Sequence, residues 1–276
     1  MTKTRETFAE RVDALMEEAS QALVACKYFL CESRCLQAMD LAHRQRDYDR
    51  MVRICLPLQE ARRQKRDMAV DSRQVFVIDD QLPKPNRLHA GCYLVRPPRV
   101  GLDGRMLREM LDNAEVPAIV VVREPTTQAG LWPVVALGPA TVRTKVMPPV
   151  QSARKRGAKK AAVATRHESD APEVAIPPVE WFLSANEALG DAAIASVDPA
   201  RPVLTRIEAL LMRLGALPDH EKLHQALAAA CAEAATLPPE VRALMDPTPE
   251  DELDRELAEE EQLKQGLGDA PEPDDN

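Results

Sequence analysis

The most enzyme-like residues of the chain are two histidines and a glutamate at positions 220–224, which read HEKLH. When the pattern H-E-x-x-H lies on a helix, its two histidines share one face and can bind zinc, and the glutamate acts as general base of a peptidase. The pattern therefore predicts a zinc site made by His220 and His224, with Glu221 as the catalytic base. Because the pattern defines only three positions, the surrounding residues must decide between this interpretation and others.

The residues before the motif favour an ordinary helix start. Asp219 follows a proline and is predicted to be the N-cap, which places Glu221 in the first turn, where the helix dipole stabilises a negative charge. Lys222 puts a charge where zinc peptidases prefer an uncharged residue beside the metal. Both acidic residues are thus explained without a metal ion.

The spacing also fails to select a third zinc ligand. Glu233 falls on the opposite face of the helix from His224, at 100° per residue. Leu223, Leu227 and Cys231 instead form an apolar stripe that includes both histidines. We therefore expect no catalytic residue and no cofactor, and zinc bound by the two histidines is the alternative.

The composition predicts helix-rich cores and a reducing, cytoplasmic location. Hydrophobic residues make up 45% of the 276 residues but aromatic residues only 3%, which favours small-residue helix packing over a large β-sandwich. The six cysteines form no C-x-x-C pair, and we expect them to be reduced and buried. The first residues, MTKTRETFAERVD, are charged, and no apolar stretch approaches about 18 residues, so neither a secretory signal nor a membrane span is expected.

Three successive segments within residues 5–66 carry apolar residues at helical spacing. The second segment resembles the second helix of a tetratricopeptide unit, on the pattern Tyr28-x-x-Cys31-x-x-x-Cys35-x-x-Ala38-Met39. The third, which starts Asp47-Tyr48-x-x-Met51, resembles the start of another such helix. Pro57 lies inside this third segment and is predicted to kink the helix or shift its start.

The resemblance covers about 60 residues and is limited to these helices. The two tyrosines are twenty residues apart, whereas the family repeats about every thirty-four residues, and the tryptophan and glycine of the motif's first helix are missing. The resemblance implies helical hairpins with a protein-binding surface that includes Tyr28 and Tyr48. A small helical bundle that only packs is the alternative.

Between residues 72 and 147 the pattern changes to five Val-rich segments bounded by turn residues. They predict strands at 74–78, 91–96, 118–123, 131–137 and 140–146. One helix is predicted over 102–113 with Asp103 as its N-cap, and the turn between the last two strands predicts an antiparallel hairpin. A single helix on a mostly antiparallel sheet would form a small α+β domain.

Charge is concentrated in two segments outside these elements. Residues 250–276 contain twelve acidic and two basic side chains, so this tail accounts for the net charge of −8 and the remainder of the chain is close to neutral. Such a segment is predicted to be disordered. A linker before the C-terminal helices carries basic residues that could contact nucleic-acid phosphates or pair with the tail: Arg154, Lys155, Arg156, Lys159, Lys160 and Arg166. No aromatic residue is interleaved for base stacking.

Together these patterns predict a mainly helical α+β multidomain protein. Its parts are an N-terminal helical domain (1–71), a small α+β domain (72–147), a basic linker (148–175), a C-terminal helical bundle (176–246) and a disordered acidic tail (247–276). Since no catalytic constellation besides HEKLH is present in the sequence, we expect a non-catalytic cytoplasmic adaptor or scaffold that binds another protein. A zinc-dependent hydrolase and a nucleic-acid-associated protein are the alternatives, and no membrane contact is expected.

Overall fold

A computed structural model describes residues 7–126, 130–149, 176–238 and 240–241. This part of the chain is mainly helical, with a small mixed five-stranded sheet at its centre. The helices are Phe8–Val24 (α1), Tyr28–Arg44 (α2), Tyr48–Asp71 (α3), Gly101–Asn113 (α4), Val179–Ala195 (α5), Val203–Ala216 (α6) and Glu221–Ala235 (α7). The strands are Val75–Ile78 (β1), Gly91–Val95 (β2), Ala118–Arg123 (β3), Trp132–Leu137 (β4) and Thr141–Val146 (β5). No described helix combines the length and the apolar character that crossing a bilayer requires.

Local sequence signals set the boundaries of the first three helices. Thr7 caps α1 and forms a reciprocal capping box with Glu10, and Asp47 caps α3 by accepting the backbone N–H of Arg50 at 3.1 Å. The two connections each contain one residue with positive φ, Cys26 and Arg46, which ends the preceding helix. The predicted helix start at Tyr48 is confirmed, and α3 runs on through Pro57, so the proline does not shift the start.

The sheet has the order β1-β2-β3-β4-β5, with β1, β2 and β3 parallel and the last three strands antiparallel. The predicted hairpin between β4 and β5 is confirmed, whereas the prediction of a mostly antiparallel sheet is wrong. Parallel pairing needs a connection of about a dozen residues or more, and helix α4 supplies it between β2 and β3. Residues 79–90, which contain only one short 3₁₀ turn, supply the other connection, and this loop carries no pattern that reveals it as a crossover.

Helix α4 begins three residues earlier than an N-cap at Asp103 would place it. Val100 is the residue before the helix, and Asp103 lies in the first turn, where its carboxylate accepts the backbone N–H of Val100 at 2.8 Å. The prediction of Asp103 as N-cap is therefore wrong, although the acidic side chain does satisfy a free N–H group at the helix start.

One hydrophobic core runs from the N-terminal helices across the sheet to the C-terminal helices. It joins Leu15 and Ile54 of the first three helices to Cys92 and Ile119 of the sheet and to Leu227 of α7. The full burial of each such leucine or isoleucine side chain is worth about 1.5–3 kcal/mol. The helical and α+β parts thus share one core in the described residues, with α3 packed directly against α7.

The opposite face of the sheet packs under α4 and against the loop of residues 79–90, which contributes Leu82 and Leu88. Tyr93 and Val122 from the strands meet Leu107 and Leu111 of α4 in a second, smaller core. Gly104 allows this close approach, because a Cβ atom at its position would lie 2.1 Å from Val122 Cγ2. Alternate residues of β2 and β3 therefore face two different cores, which explains why both strands are apolar along most of their length.

A buried ionic cluster fixes α3 between α2 and α4. The Glu32 carboxylate accepts Arg62 Nε at 2.7 Å and Lys65 Nζ at 2.6 Å, and Lys65 also donates to Asp112 at 2.8 Å. Arg62 and Lys65 are only 5% and 7% exposed. Burial alone would raise the pKa of Glu32, but the two cations outweigh it and lower the pKa to about 2. Each charge in this cluster therefore depends on its partner remaining in place.

The cysteines mostly behave as the composition predicts. Five of them are buried and unpaired, whereas Cys26 is exposed in the turn after α1. Burial raises the pKa of Cys55 and of Cys92 to about 12, so these thiols are protonated and inert at neutral pH. They act as small apolar side chains in the cores.

Candidate functional site

The HEKLH residues lie at the start of α7, where that helix meets α3 and α5. Glu221 is the first helical residue and His220 is the residue before it. The prediction of Asp219 as N-cap is thus wrong by one residue. The backbone carbonyl of Asp219 accepts Arg66 Nη1 at 3.4 Å, while the carbonyl of His220 accepts the backbone N–H of Leu223 in the first turn of the helix.

His224 is a buried structural residue with a defined tautomer. It is 1% exposed, and its Nε2 lies 2.9 Å from the carbonyl oxygen of Pro218, which can only accept, so Nε2 carries the hydrogen. Its Nδ1 has no partner among the described residues. Burial lowers the pKa of His224 to about 3, with a smaller contribution from the nearby Arg62 guanidinium. The ring is therefore neutral, and the nitrogen that a zinc site would use is engaged by a backbone carbonyl.

Glu221 is also engaged by a neighbouring helix. Its Oε1 accepts Arg66 Nη2 at 2.7 Å, which ties the start of α7 to α3. The Oε1 atom of this carboxylate is already occupied by a guanidinium, whereas a general base needs a free oxygen to take the proton of a water molecule. Glu221 and His224 thus both make contacts that account for them structurally.

His220, in contrast, meets two carboxylates of α5 that the sequence pattern does not include. Its Nε2 lies 3.3 Å from Glu187 Oε2 and 4.0 Å from Asp191 Oδ1. The ligand atoms of these three residues all lie within 4.8 Å of one another. The structure therefore brings His220 together with Glu187 and Asp191, and His224 is not part of this cluster. The signal in the sequence is the pair of acidic residues four positions apart, which share one helix face.

The ring of His220 fits against a glycine of α5. A Cβ atom at Gly190 would lie 2.1 Å from the imidazole, so only glycine leaves room for the ring at this position. His220 is 1% exposed, and neither ring nitrogen makes a hydrogen bond with the part of the chain that the structure describes. Burial lowers the pKa of His220, against the opposing effect of the two carboxylates, so the imidazole is neutral.

Lys222 closes the cluster on the solvent side. Its Nζ contacts Glu187 Oε1 and lies 2.9 Å from Asp191 Oδ1. These hydrogen bonds raise the pKa of Lys222 to about 12. Lys222, which weakens the match to the zinc-peptidase pattern, thus already offsets one of the two negative charges.

A polar cleft of about 380 Å³ adjoins this cluster between α3, α5 and the start of α7. Asp219 borders it, and burial raises the pKa of the Asp219 carboxyl to about 6 despite the nearby Lys65 charge. The residues that line the cleft are Arg66, Leu183, Ser184, Asn186, Glu187, Asp219 and His220.

The two tyrosines expected on a protein-binding surface have different surroundings. Tyr48 is 4% exposed and belongs to the main core, whereas Tyr28 is half-buried at the start of α2. Their role in partner binding stays a prediction. The open surface of the N-terminal helices lies elsewhere, on the side where α1, α3 and α7 are neighbours.

That side carries two adjoining clefts. The cleft between α1 and α3, of about 240 Å³, is lined by Asp13, Met16, Glu17, Ser20, Arg50 and Arg53. The cleft between α3 and the end of α7, of about 520 Å³, is lined by Asp49, Val52, Arg53, Ala232, Ala235 and Thr236. Arg53 lines both clefts and therefore lies where they adjoin, and we call the two clefts together the α1–α3–α7 groove.

The predicted basic linker and acidic tail lie outside the described residues, apart from Pro148 and Pro149 at the start of the linker, so their pairing stays a prediction. A comparison of the chain with protein-family models, with curated proteins and with solved structures finds no match. The two sites described above are therefore the features of the chain that can indicate its function.

Proposed function

We propose that the chain is a non-catalytic cytoplasmic adaptor or scaffold protein, and that it binds another protein in the α1–α3–α7 groove. The observation that carries this proposal is the pair of adjacent clefts on α1, α3 and α7, which share the exposed side chain of Arg53. The tetratricopeptide-like character of the first helices, which implies a protein-binding surface, supports it.

The two arginines of the groove differ in their contacts. Arg50 is held by Asp13, at 2.9 and 3.1 Å, and by Asp47 at 2.6 Å. Arg53, one helical turn further along α3, makes no hydrogen bond or ion pair within the described part of the chain, although its charge acts on Asp13 from a distance. The guanidinium of Arg53 is therefore available to a partner.

The lining of the groove indicates the chemistry of that partner. A guanidinium binds a carboxylate through two parallel hydrogen bonds. Beside it, Val52, Ala232 and Ala235 offer small apolar surfaces that could accept an aliphatic side chain. We infer that the bound segment of the partner protein presents an acidic residue next to aliphatic ones.

The N-terminal helices would then serve as a tetratricopeptide-type hairpin unit within a multidomain protein. The acidic tail of the same chain competes for this role, since the chain leaves α7 at Thr236, which lines the groove. We favour a separate protein because the family resemblance implies one, and the experiment below distinguishes the two occupants.

The test is a quantitative affinity capture from source lysate with three full-length proteins: the natural chain, Arg53→Glu and Arg11→Glu. Arg11 is an exposed cation of α1 that does not line the groove, so its reversal is a matched change of charge. We expect specific partners to be retained by Arg11→Glu and lost by Arg53→Glu. A purified partner should then bind Arg53→Glu at least about tenfold more weakly than the natural chain, as for an arginine at the centre of an interface.

Equal capture by all three proteins would overturn the proposal. Crosslinking of the isolated natural protein then tests whether its own acidic tail occupies the groove. Intramolecular crosslinks between the groove and residues 242–276, combined with no Arg53-dependent partner, would assign the groove to the acidic tail instead.

A further inference from the structure

We propose that Glu187, Asp191 and His220 form a binding site for one divalent transition-metal ion, such as Zn²⁺. This site differs from the one that HEKLH suggests, because it uses only the first histidine of that motif and takes its other two ligands from α5. It lies at the start of α7, whereas the α1–α3–α7 groove lies at the end of that helix. The two proposals can therefore fail independently.

One of the three separations between the ligand atoms matches a bound metal ion, and the other two require the exposed carboxylates to move, since the three atoms lie within 4.8 Å of one another. Zinc lies about 2.0–2.2 Å from imidazole nitrogen and carboxylate oxygen, so two ligands of a tetrahedral ion are about 3.3–3.4 Å apart. The distance from His220 Nε2 to Glu187 Oε2 is 3.3 Å. Asp191 Oδ1, at 4.0 Å from the same nitrogen, would have to approach by roughly 0.6 Å. Both carboxylates are half-exposed, which permits this adjustment.

His220 provides an observation that is independent of the acidic pair. Its ring is 1% exposed and directed between the two carboxylates, yet neither nitrogen has a hydrogen-bond partner in the described structure. An unsatisfied buried polar group costs about 1–3 kcal/mol, and a bond from Nε2 to a metal would remove that cost at one nitrogen. Gly190 fixes the ring in this position, since any side chain there would meet the imidazole. The neutral ring is also the form that binds metals.

The donor set and the single histidine define the class of ion. Imidazole with two carboxylates suits zinc and its neighbours in the first transition series better than it suits calcium or magnesium, which take oxygen ligands alone. Three protein ligands leave a fourth position for water or for a group of a bound molecule. The polar cleft that His220 and Glu187 line opens beside this position.

Lys222 is the competitor of the metal. It contacts Glu187 Oε1, while Oε2 of the same carboxylate faces His220, so only Asp191 Oδ1 is shared between the lysine and the ion. Without a metal, Lys222 offsets one of the two carboxylate charges. Removal of its charge should therefore strengthen metal binding, whereas in a purely structural ion network it would have no such effect.

The experiment is a calorimetric titration of Zn²⁺ into the chelator-treated full-length protein, with Co²⁺ absorption as a report on coordination. We expect one Zn²⁺ per chain, a Co²⁺ spectrum of four- or five-coordinate type, and at least tenfold weaker binding in His220→Gln. Because His220 is buried, the exposed double variant Glu187→Gln/Asp191→Asn provides a second test that leaves the core intact, and it should lose the same binding event. Lys222→Met should bind Zn²⁺ several-fold more tightly than the natural chain.

The matched control is His224→Gln, which changes the other histidine of HEKLH and should leave the affinity unchanged. Absence of stoichiometric binding would overturn the site. Binding that survives Glu187→Gln/Asp191→Asn would also overturn it, by assigning the ion to other ligands. If binding is lost in His224→Gln but retained in Glu187→Gln/Asp191→Asn, the zinc ligands are His220 and His224, as the HEKLH pattern predicts.

Discussion

Acid should destabilise the protein through His224, and the size of the effect follows from its burial. Protonation would place an N–H on Nδ1, which has no acceptor among the described residues, while Nε2–H is already directed at the Pro218 carbonyl. The pKa of His224 is consequently lowered to about 3, mainly by burial. An unfolded histidine titrates near pH 6.5, so the folded state loses stability as the pH falls below about 6.5 and stops losing it only below about 3.

The magnitude at pH 5 depends little on the folded pKa, because that value lies well below 5. Protonation of the histidine stabilises the unfolded chain by about 1.36 kcal/mol for each pH unit below 6.5. The free energy of unfolding is therefore about 2 kcal/mol lower at pH 5. Asp219 acts in the opposite direction. Burial raises its pKa to about 6, so acid protonates the carboxyl group and removes the cost of burying its charge. A comparison of two proteins that both retain Asp219 cancels that contribution.

The assay is urea denaturation, followed by circular dichroism at pH 7.5 and pH 5.0, of the natural chain and of His224→Gln. Glutamine does not titrate and keeps an N–H donor for the Pro218 carbonyl. We expect the free energy of unfolding of the natural chain to fall by about 2 kcal/mol more between the two pH values than that of the variant. His89→Gln, at an exposed histidine, is the control and should retain the pH dependence of the natural chain. An unchanged pH dependence in His224→Gln would refute the buried neutral ring.

Two further substitutions test the packing around the sites by urea denaturation at pH 7.5. Gly190→Ala should lower the free energy of unfolding by about 1–3 kcal/mol, because the new Cβ would overlap the His220 imidazole. In Gly101→Ala the nearest neighbour of the new Cβ is 3.6 Å away, so this control should be neutral or slightly stabilising. Equal effects of the two substitutions would contradict the close contact between Gly190 and His220. Glu32→Gln should lower the free energy of unfolding by about 3–5 kcal/mol, because it leaves the buried Arg62 without its carboxylate. The matched control is Glu60→Gln, which removes a partly exposed ion pair and should lower the free energy of unfolding by no more than about 1 kcal/mol. A small loss of stability in Glu32→Gln would show that water reaches the ionic cluster around Arg62.

Much of the secondary structure could be predicted from local pattern. The five strands lie within one residue of their expected bounds, and α7 begins at Glu221, one residue after the start that an N-cap at Asp219 predicts. The burial of His220 and His224 on the stripe with Leu223 and Leu227 is confirmed as well. These features depend on residues close in sequence, because helix periodicity, strand alternation and turn chemistry act over a few positions.

The direction of the strands and the candidate site could not be predicted in this way. Whether β1 runs parallel to β2 depends on the path of the loop between them, and residues 79–90 have no periodicity that indicates it. The cluster around His220 draws on Glu187 of α5, which is more than thirty positions away. No spacing rule links residues on different helices, so the site is visible only once α5 and α7 are packed together.

The sequence by itself determined the elements of this protein: where helices and strands begin, which faces are apolar, and that HEKLH starts a helix. Tertiary packing decided what each residue of that motif contacts. It directed His224 to a backbone carbonyl, Glu221 to Arg66 and His220 to the carboxylates of α5. The physical reason is that one helical face can meet several different neighbours, and the neighbours that it meets depend on how the whole core closes.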